Sequence, residues 1–217
     1  MKVVTEKEAE RFLSKEGFSI AEGFFVKRKS ELNNKKFENK FVAKASGKNI
    51  VHKKDLGGIA LDIDSLEKAE KSFDKIKKIK GVEEVFFQRQ LKSKEFLLGI
   101  KKTPEFGHTL VFGVGGSGVE SKKDFAFRVC PGEIENIFGT LDAMEMVEET
   151  GVGREANLED RNILVKEIMK LCKLAEKFPK IKELDINPLM FGVGNLENEA
   201  SIKEKKVYVV DARIVFE

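Results

Sequence analysis

The sequence predicts an α+β fold of two lobes built on mainly antiparallel sheets. Several strand-like runs follow one another without an intervening helix, which favours hairpins over parallel βαβ units. Between these runs lie segments whose apolar residues recur at helical spacing. The 217 residues, of which 41% are apolar, suffice for one large domain or two small lobes with a hydrophobic core.

Helices are predicted from end caps and apolar stripes. Thr5 and Glu8 have the spacing of a capping box at the start of the first helix. Amphipathic periodicity predicts a second helix from about Ser65 to Lys80 and a third from about Leu158 to Phe178. The stretch 134–149 is also predicted to be helical.

Strands are predicted where β-branched and aromatic residues cluster between turn residues. The runs are FVAKA, GIALDI, EVFFQRQ, EFLLGIK, HTLVFGV, FAFRV, KELDINPLMF and KVYVVDARIVF. We expect a lobe boundary where the second helix ends. Residues 1–82 would then form the N-terminal helix and the smaller lobe, and residues 83–217 the larger lobe.

Composition excludes several classes of partner. The 40 basic and 37 acidic residues are interleaved, with a net charge of +3, whereas a nucleic-acid-binding surface needs a stripe of one sign. The longest uncharged stretch, Gly107 to Val119, is too short and too polar to span a bilayer. Cys130 and Cys172 have neither the spacing of a disulfide framework nor that of a zinc site. Because the N-terminus also reaches charge too soon for a signal peptide, we expect a cytoplasmic protein.

Two polar residues near the C-terminus are candidate ligands of a cation. Alternation places Asp185 and Asn187 on one side of the KELDINPLMF strand, and Asp211 on the same side as Val207 and Val209 of the KVYVVDARIVF strand. If the two strands form a hairpin, Asn187 faces Asp211, with Cβ atoms about 4.5–5.5 Å apart. An amide oxygen and a carboxylate at that separation can share Mg²⁺. The alternative is an ordinary polar face of an edge hairpin.

Two basic side chains are candidates for phosphate chemistry. Lys44 is the only charge in the short apolar strand FVAKA, so it is either a snorkelling lysine of an edge strand or a fixed cation for a phosphate. His52 lies in a loop that ends at Gly57 and Gly58, where backbone N–H groups can approach phosphate oxygens. A neutral imidazole there could serve as a nucleophile, or it could be a surface histidine without a role.

A second glycine cluster, FGVGGSGVE, is followed by the strand-like SKKDFAFRV. No helix follows it, so a dinucleotide-binding turn is not indicated. Gly115 and Gly116 are therefore predicted to form a tight hairpin turn, which either is purely structural or brings the backbone close to a ligand.

The order of these blocks resembles a known family. HKKDLGG, FFQRQLKSKEFLLGI, TPEFGHTLVFGVGGSGVESKKDFAFRV, ELDINPLM and VVDARI follow Lys44 as they do in the β subunit of ADP-forming acetyl-CoA synthetases, that is, acetate–CoA ligases. These β subunits are ATP-grasp domains related to the succinyl-CoA synthetase β chain. The resemblance implies two lobes that grip ATP or ADP with Mg²⁺. It also implies a separate α subunit, or fused domain, that binds CoA, with an α2β2 assembly, and the reaction acyl-CoA + ADP + phosphate ⇌ carboxylate + CoA + ATP.

The resemblance assigns roles on the phosphate side of the site. His52 matches the histidine that relays the phosphoryl group from a phosphohistidine of the α subunit to the nucleotide. Lys44 matches a ligand of the ATP phosphates, and Gly57 with Gly58 would close the phosphate loop.

The resemblance also assigns roles around the nucleoside and the metal. Glu95 would bind the ribose, and Gln88 falls in the stretch that lines the adenine. Asn187 and Asp211 match the Mg²⁺ ligands, in agreement with the hairpin argument. Asp185 matches an acidic position near the phosphohistidine and is a candidate catalytic residue.

Two other functions remain open at this point. An ATP-grasp carboxylate–amine ligase would form an acyl phosphate and would need no histidine relay. A non-catalytic nucleotide-binding module would bind ATP without turning it over.

Overall fold

The computed structural model divides the chain into two compact units, one of residues 21–91 and the other of residues 1–20 and 92–217. It describes residues 1–48, 50, 53–116, 123–130, 137–193 and 205–217. The expected boundary lay after residue 82. The observed boundary differs because the strand Glu84–Arg89 pairs with strands of the unit 21–91. In addition, the first helix packs into the core of the other unit.

The described elements of the smaller unit are β2 (Gly23–Val26), a 3₁₀ helix (Lys29–Asn34), β3 (Phe41–Ser46), β4 (Ile59–Ile63), α2 (Leu66–Lys77) and β5 (Glu84–Arg89). The strands form a four-stranded antiparallel sheet in the order β2-β5-β3-β4. Helix α2 begins where the Ser65 hydroxyl accepts the Lys68 N–H, as expected for an N-cap. Its apolar stripe, which includes Ala69, Phe73 and Ile76, is buried in the core of this unit.

The described strands of the larger unit are β1 (Lys2–Val3), β6 (Glu95–Thr103), β7 (Gly107–Val114), β8 (Phe125–Val129), β9 (Ile181–Val193), β10 (Lys205–Val209) and β11 (Ala212–Phe216). They form one sheet in the order β1-β11-β9-β6-β7-β8, with β10 also paired to β9. The strand pairs described in this sheet are antiparallel. The predicted hairpins and antiparallel α+β class are therefore confirmed.

Four helices of the larger unit are described: α1 (Glu6–Lys15), α3 (Ile137–Glu149), α4 (Gly151–Arg154) and α5 (Leu158–Lys177). Thr5 and Glu8 form the predicted capping box at the start of α1. Buried side chains of α1, α3 and α5 share one apolar core with residues of β6, β7 and β9. Within the described residues, no helix is both long enough and apolar enough to cross a membrane.

Candidate functional site

Along β9 every second side chain points into the core, but this alternation shifts by one residue at Asn187 and Pro188. The neighbouring strands β10 and β11 show the same shift at the same level. The core-facing side chains are Leu184, Ile186, Leu189 and Phe191 on β9, and Val207, Val209, Ala212 and Ile214 on β10 and β11. The alternation of core-facing side chains is thus interrupted by one residue in β9 and again between β10 and β11. The expectation that Asp211 lies on the same face as Val207 and Val209 is therefore wrong.

The pairing of Asn187 with Asp211 is nevertheless the predicted one. Strand β11 pairs Ala212 with Ile186, and the Asn187 N–H donates to the Asp211 carbonyl oxygen at 3.1 Å. Because β9 and its partner strands are interrupted at the same level, β10 and β11 pair with β9 in the same register. The two half-buried side chains are consequently close neighbours at the point where the sheet changes face.

The side-chain amide of Asn187 is oriented by the glycine turn after β7. The Gly116 N–H donates to Asn187 Oδ1 at 2.7 Å. Gly116 has a φ of +71°, and a Cβ there would collide with the Glu95 carboxylate. The positive φ favours glycine, and a side chain here would also displace the Glu95 carboxylate. An amide oxygen accepts two hydrogen bonds or ligands, so Asn187 Oδ1 keeps one lone pair for a cation.

Glu95 and the glycine turn were assigned separately from the sequence, but they are in contact. Glu95 is the exposed first residue of β6, and its carbonyl oxygen accepts the Gly115 N–H at 2.8 Å. Its carboxylate lies against Gly116, whose N–H holds Asn187. The sequence had left open whether the Gly115–Gly116 turn is purely structural or approaches a ligand, and its contact with Asn187 makes Gly116 part of the candidate site.

A group of acidic side chains lies beside the Asn187–Asp211 pair. Asp185 is flanked by Gly99 on β6 and by Arg213 on β11. Burial, followed by the charges of Glu183 and Asp211, raises the pKa of Asp185 to about 6, while Arg213 acts in the opposite direction. This part of the sheet therefore carries more negative charge than Arg213 neutralises, and a bound cation would be stabilised there.

The residues present fit a magnesium ion that is held jointly with a ligand. No three His, Cys, Asp or Glu side chains in the described ranges are close enough to hold a metal ion by themselves. Mg²⁺, however, usually binds through one or two carboxylates and completes its shell with phosphate oxygens and water. The Asp211 carboxylate and the Asn187 amide oxygen are donors of that kind. They suit a nucleotide-bound Mg²⁺ better than a free ion.

In the smaller unit, Lys44 is a buried cation with a fixed acceptor. Its side chain is 5% exposed, and its Nζ donates to Gln88 Oε1 at 2.5 Å. Strand β3 lies between β5 and β4, so Lys44 is not on an edge strand and the snorkelling alternative is wrong. The Nζ also lies 5.7 Å from the centroid of the Phe86 ring. The Lys44 ammonium is thus held by the Gln88 amide and next to an aromatic face.

Gln88 is buried, and its side-chain amide is engaged at both ends. Its Oε1 accepts Lys44, and its Nε2 donates to the Ala21 carbonyl oxygen at 3.3 Å. Gln88 and Val42 face each other across the β3–β5 ladder. The amide therefore fixes the position of the ammonium group, and an adenine contact of Gln88 stays a prediction.

The glycines after β3 close a turn. The Gly57 N–H donates to the Lys54 carbonyl oxygen at 3.0 Å, and the Gly58 N–H donates to the Lys53 carbonyl oxygen at 2.7 Å. Gly57 has a φ of +65°, which favours glycine. Both amides are thus used within the loop, and direct phosphate binding by them stays a prediction. The candidate nucleophile His52 lies outside the described residues.

Comparison with known proteins places this arrangement in a family. The profile of the ATP-grasp domain matches residues 1–216. The β subunit of acetate–CoA ligase [ADP-forming] I from Pyrococcus furiosus is 31% identical, over 98% of this chain and 91% of its own length. Acetate–CoA ligase [ADP-forming] II from Archaeoglobus fulgidus is also 31% identical over 98% of this chain, but the match spans only 30% of that protein.

A solved structure agrees with these sequence relatives. The Ca. Korarchaeum cryptofilum protein that was solved in complex with coenzyme A superposes with a TM-score of 0.79 at 26% identity, over 100% of this chain and 94% of that one. The resemblance seen in the sequence blocks is confirmed. The chain belongs to the ATP-grasp family, in the group that contains the β subunits of ADP-forming acetate–CoA ligases.

Proposed function

We propose that the chain is the nucleotide-binding β subunit of a cytoplasmic ADP-forming acyl-CoA synthetase. The observation that carries this proposal is the match to the P. furiosus β subunit, which runs over nearly the whole of both chains. The reaction is acyl-CoA + ADP + phosphate ⇌ carboxylate + CoA + ATP. Acetyl-CoA is the first substrate to test. The partner is an α subunit that binds CoA, in an α2β2 assembly.

Asn187 and Asp211 are proposed to hold Mg²⁺ together with the phosphates of ATP or ADP. The support is their cross-strand contact, the fixed orientation of the Asn187 amide and the surplus of negative charge around Asp185. When bound, the ion would neutralise phosphate charge. Lys44, aimed by Gln88, would supply a second positive charge to the phosphates, and Glu95 would bind the ribose.

His52 is proposed to carry the phosphoryl group between the α subunit and the nucleotide. In each transfer a P–N or P–O bond breaks as the new bond to phosphorus forms. A phosphoramidate on imidazole has a transfer potential close to that of ATP, so neither step is a deep trap. Asp185 would be the acidic residue near the phosphohistidine, and Gly57 with Gly58 would shape the loop that carries His52.

Phosphorylation tests the relay. The complex with an α-type partner is incubated with Mg²⁺ and γ-labelled ATP, and the label on this chain should be acid-labile and stable to base. His52→Ala should abolish both the label and acyl-CoA-dependent ATP formation, with nucleotide affinity within a few-fold of the parent. His108→Ala is the matched control, because these are the only two histidines of the chain, and it should keep the label.

The outcomes separate the candidate functions. Near-parental turnover of His52→Ala with the partner present would remove the relay and favour a carboxylate–amine ligase. Nucleotide binding by the parent complex without any label or turnover would instead favour a non-catalytic module. Full turnover by the purified chain alone would contradict the assignment as one subunit of a complex.

Calorimetry tests the metal ligands independently of turnover. Asp211→Asn removes a negative charge beside the ion, so it should weaken Mg²⁺–ATP binding more than metal-free ATP binding. Asp142→Asn makes the same chemical change at an exposed position of α3 and should change neither affinity. Equal weakening with and without Mg²⁺ would remove Asp211 from the metal site.

A further inference from the structure

Two cysteines of the larger unit lie side by side although 42 positions separate them in the chain. The Sγ atoms of Cys130 and Cys172 are 3.3 Å apart, and both residues are free thiols. Cys130 directly follows β8, where its N–H donates to the His108 carbonyl oxygen at 2.8 Å. Cys172 lies on the buried face of α5 and is 2% exposed. The two thiols thus lie where the end of edge strand β8 meets helix α5.

We propose that Cys130 and Cys172 are a reversible dithiol–disulfide pair that is oxidised by hydrogen peroxide or another small peroxide. A disulfide has an S–S length of about 2.05 Å, so the sulfur atoms need to approach by only a little over 1 Å. Cys130 is at the end of its strand, where a small backbone adjustment costs few ladder hydrogen bonds. The proposal concerns a site that none of the nucleotide or metal residues shares.

The unequal burial of the two thiols assigns their order of reaction. Cys130 is half-buried and is thus the more accessible of the two residues, whereas Cys172 is in the core. The hydrogen bond with Cys130, together with burial, raises the pKa of Cys172 and favours its neutral thiol, which is the less reactive form. Cys130 is therefore the attacking sulfur and Cys172 the resolving one.

The chemistry balances with the peroxide alone. The Cys130 thiolate attacks one oxygen of the peroxide, the O–O bond breaks, and a sulfenic acid and hydroxide form. Cys172 then attacks the sulfenic sulfur, the S–O bond breaks, and water leaves as the S–S bond forms. The hydroxide takes up the proton that the Cys130 thiol released, so in total two thiols and one H₂O₂ give one disulfide and two water molecules. A dithiol reductant reverses the reaction by thiol–disulfide exchange.

The bond would close a loop of the chain between the end of β8 and α5. Closing a loop of this length constrains the unfolded chain, so the oxidised protein should unfold several degrees above the reduced protein. The same bond would connect edge strand β8 covalently to helix α5. Among the described strands, β8 pairs only with β7.

Thiol counting and peptide mapping test the pair. The full chain is treated with a small excess of hydrogen peroxide, unfolded in denaturant, and titrated for free thiols before and after reduction. The expected result is the loss of both thiols in step and a single disulfide-linked peptide pair, each reversed by dithiothreitol. The oxidised protein should also show the higher melting temperature.

Two variants serve as controls. Cys172→Ala should leave Cys130 to be oxidised to the sulfinic state, and Cys130→Ser should leave Cys172 largely unreacted. If Cys172→Ala does not fold, the peptide map of the parent chain still decides. Independent oxygen addition to each cysteine, disulfides between two chains, or a parent whose thiols survive the treatment would each overturn the proposal.

Discussion

Replacement of Asp185 by asparagine should stabilise the protein at neutral pH but not at pH 4. Asp185 is on β9, which lies between β6 and β11. Its partners on these two strands are Gly99 and Arg213. Burial raises its pKa from 3.8 to about 6, helped by the charges of Glu183 and Asp211 and opposed by Arg213. Asparagine has nearly the same shape and no charge, so it removes the cost of ionising this side chain within the sheet.

The size and sign of the effect follow from the shift. The difference of about 2 pKa units, at about 1.4 kcal/mol per unit, corresponds to at most about 3 kcal/mol because the side chain keeps some contact with water. Between pH 4 and pH 6 the folded state of the parent binds more protons than the unfolded chain, so its stability from this group falls as pH rises. It is fully present below about pH 4 and lost above about pH 6.

The assay is urea unfolding of both proteins at several pH values from 4 to 8 in the presence of EDTA, which keeps divalent cations from the site. The free energy of unfolding of Asp185→Asn relative to the parent should rise by up to about 3 kcal/mol across that range. The exposed control Asp142→Asn should show no such rise. A difference between Asp185→Asn and the parent that is the same at pH 4 and pH 7 would refute the reasoning, as would a variant less stable than the parent at pH 7.

Substitutions at Gln88 and Gly116, each with a control variant, test the contacts that shape the site. Gln88→Leu removes an acceptor of the buried Lys44 ammonium and should lower the free energy of unfolding by about 1–3 kcal/mol. Gln88→Glu keeps an acceptor, so it should recover most of this loss in the same urea titration. Equal losses in the two variants would show that this hydrogen bond contributes nothing to stability. Gly116→Ala and Gly107→Ala both place a side chain at positive φ, at a cost of about 1–2 kcal/mol, but only the first also displaces the exposed Glu95 carboxylate. The two variants should therefore lose similar stability, and only Gly116→Ala should also weaken Mg²⁺–ATP binding in calorimetry; unchanged binding would contradict this account of the turn.

Short-range signals in the sequence were sufficient for the helices and for one long-range pair. The Thr5–Glu8 capping box needs only a four-residue window, and it forms as predicted. The Asn187–Asp211 pair could be inferred because the two stretches of ladder that flank it share one register. The change of face at that pair could not be inferred, since strict alternation was the premise of the argument.

The sequence by itself determined the fold class, the family and the residue types that suit Mg²⁺ and phosphate, because these depend on local periodicity and on the order of motifs. Only the tertiary structure decided the boundary between the units, where β5 joins the sheet of the smaller one. It alone also brought together Lys44 with Gln88, Gly116 with Asn187, and Cys130 with Cys172. These partners are 44, 71 and 42 positions apart. No local pattern selects such pairs, since they form where the packing of sheets and helices buries polar groups that must then find a partner.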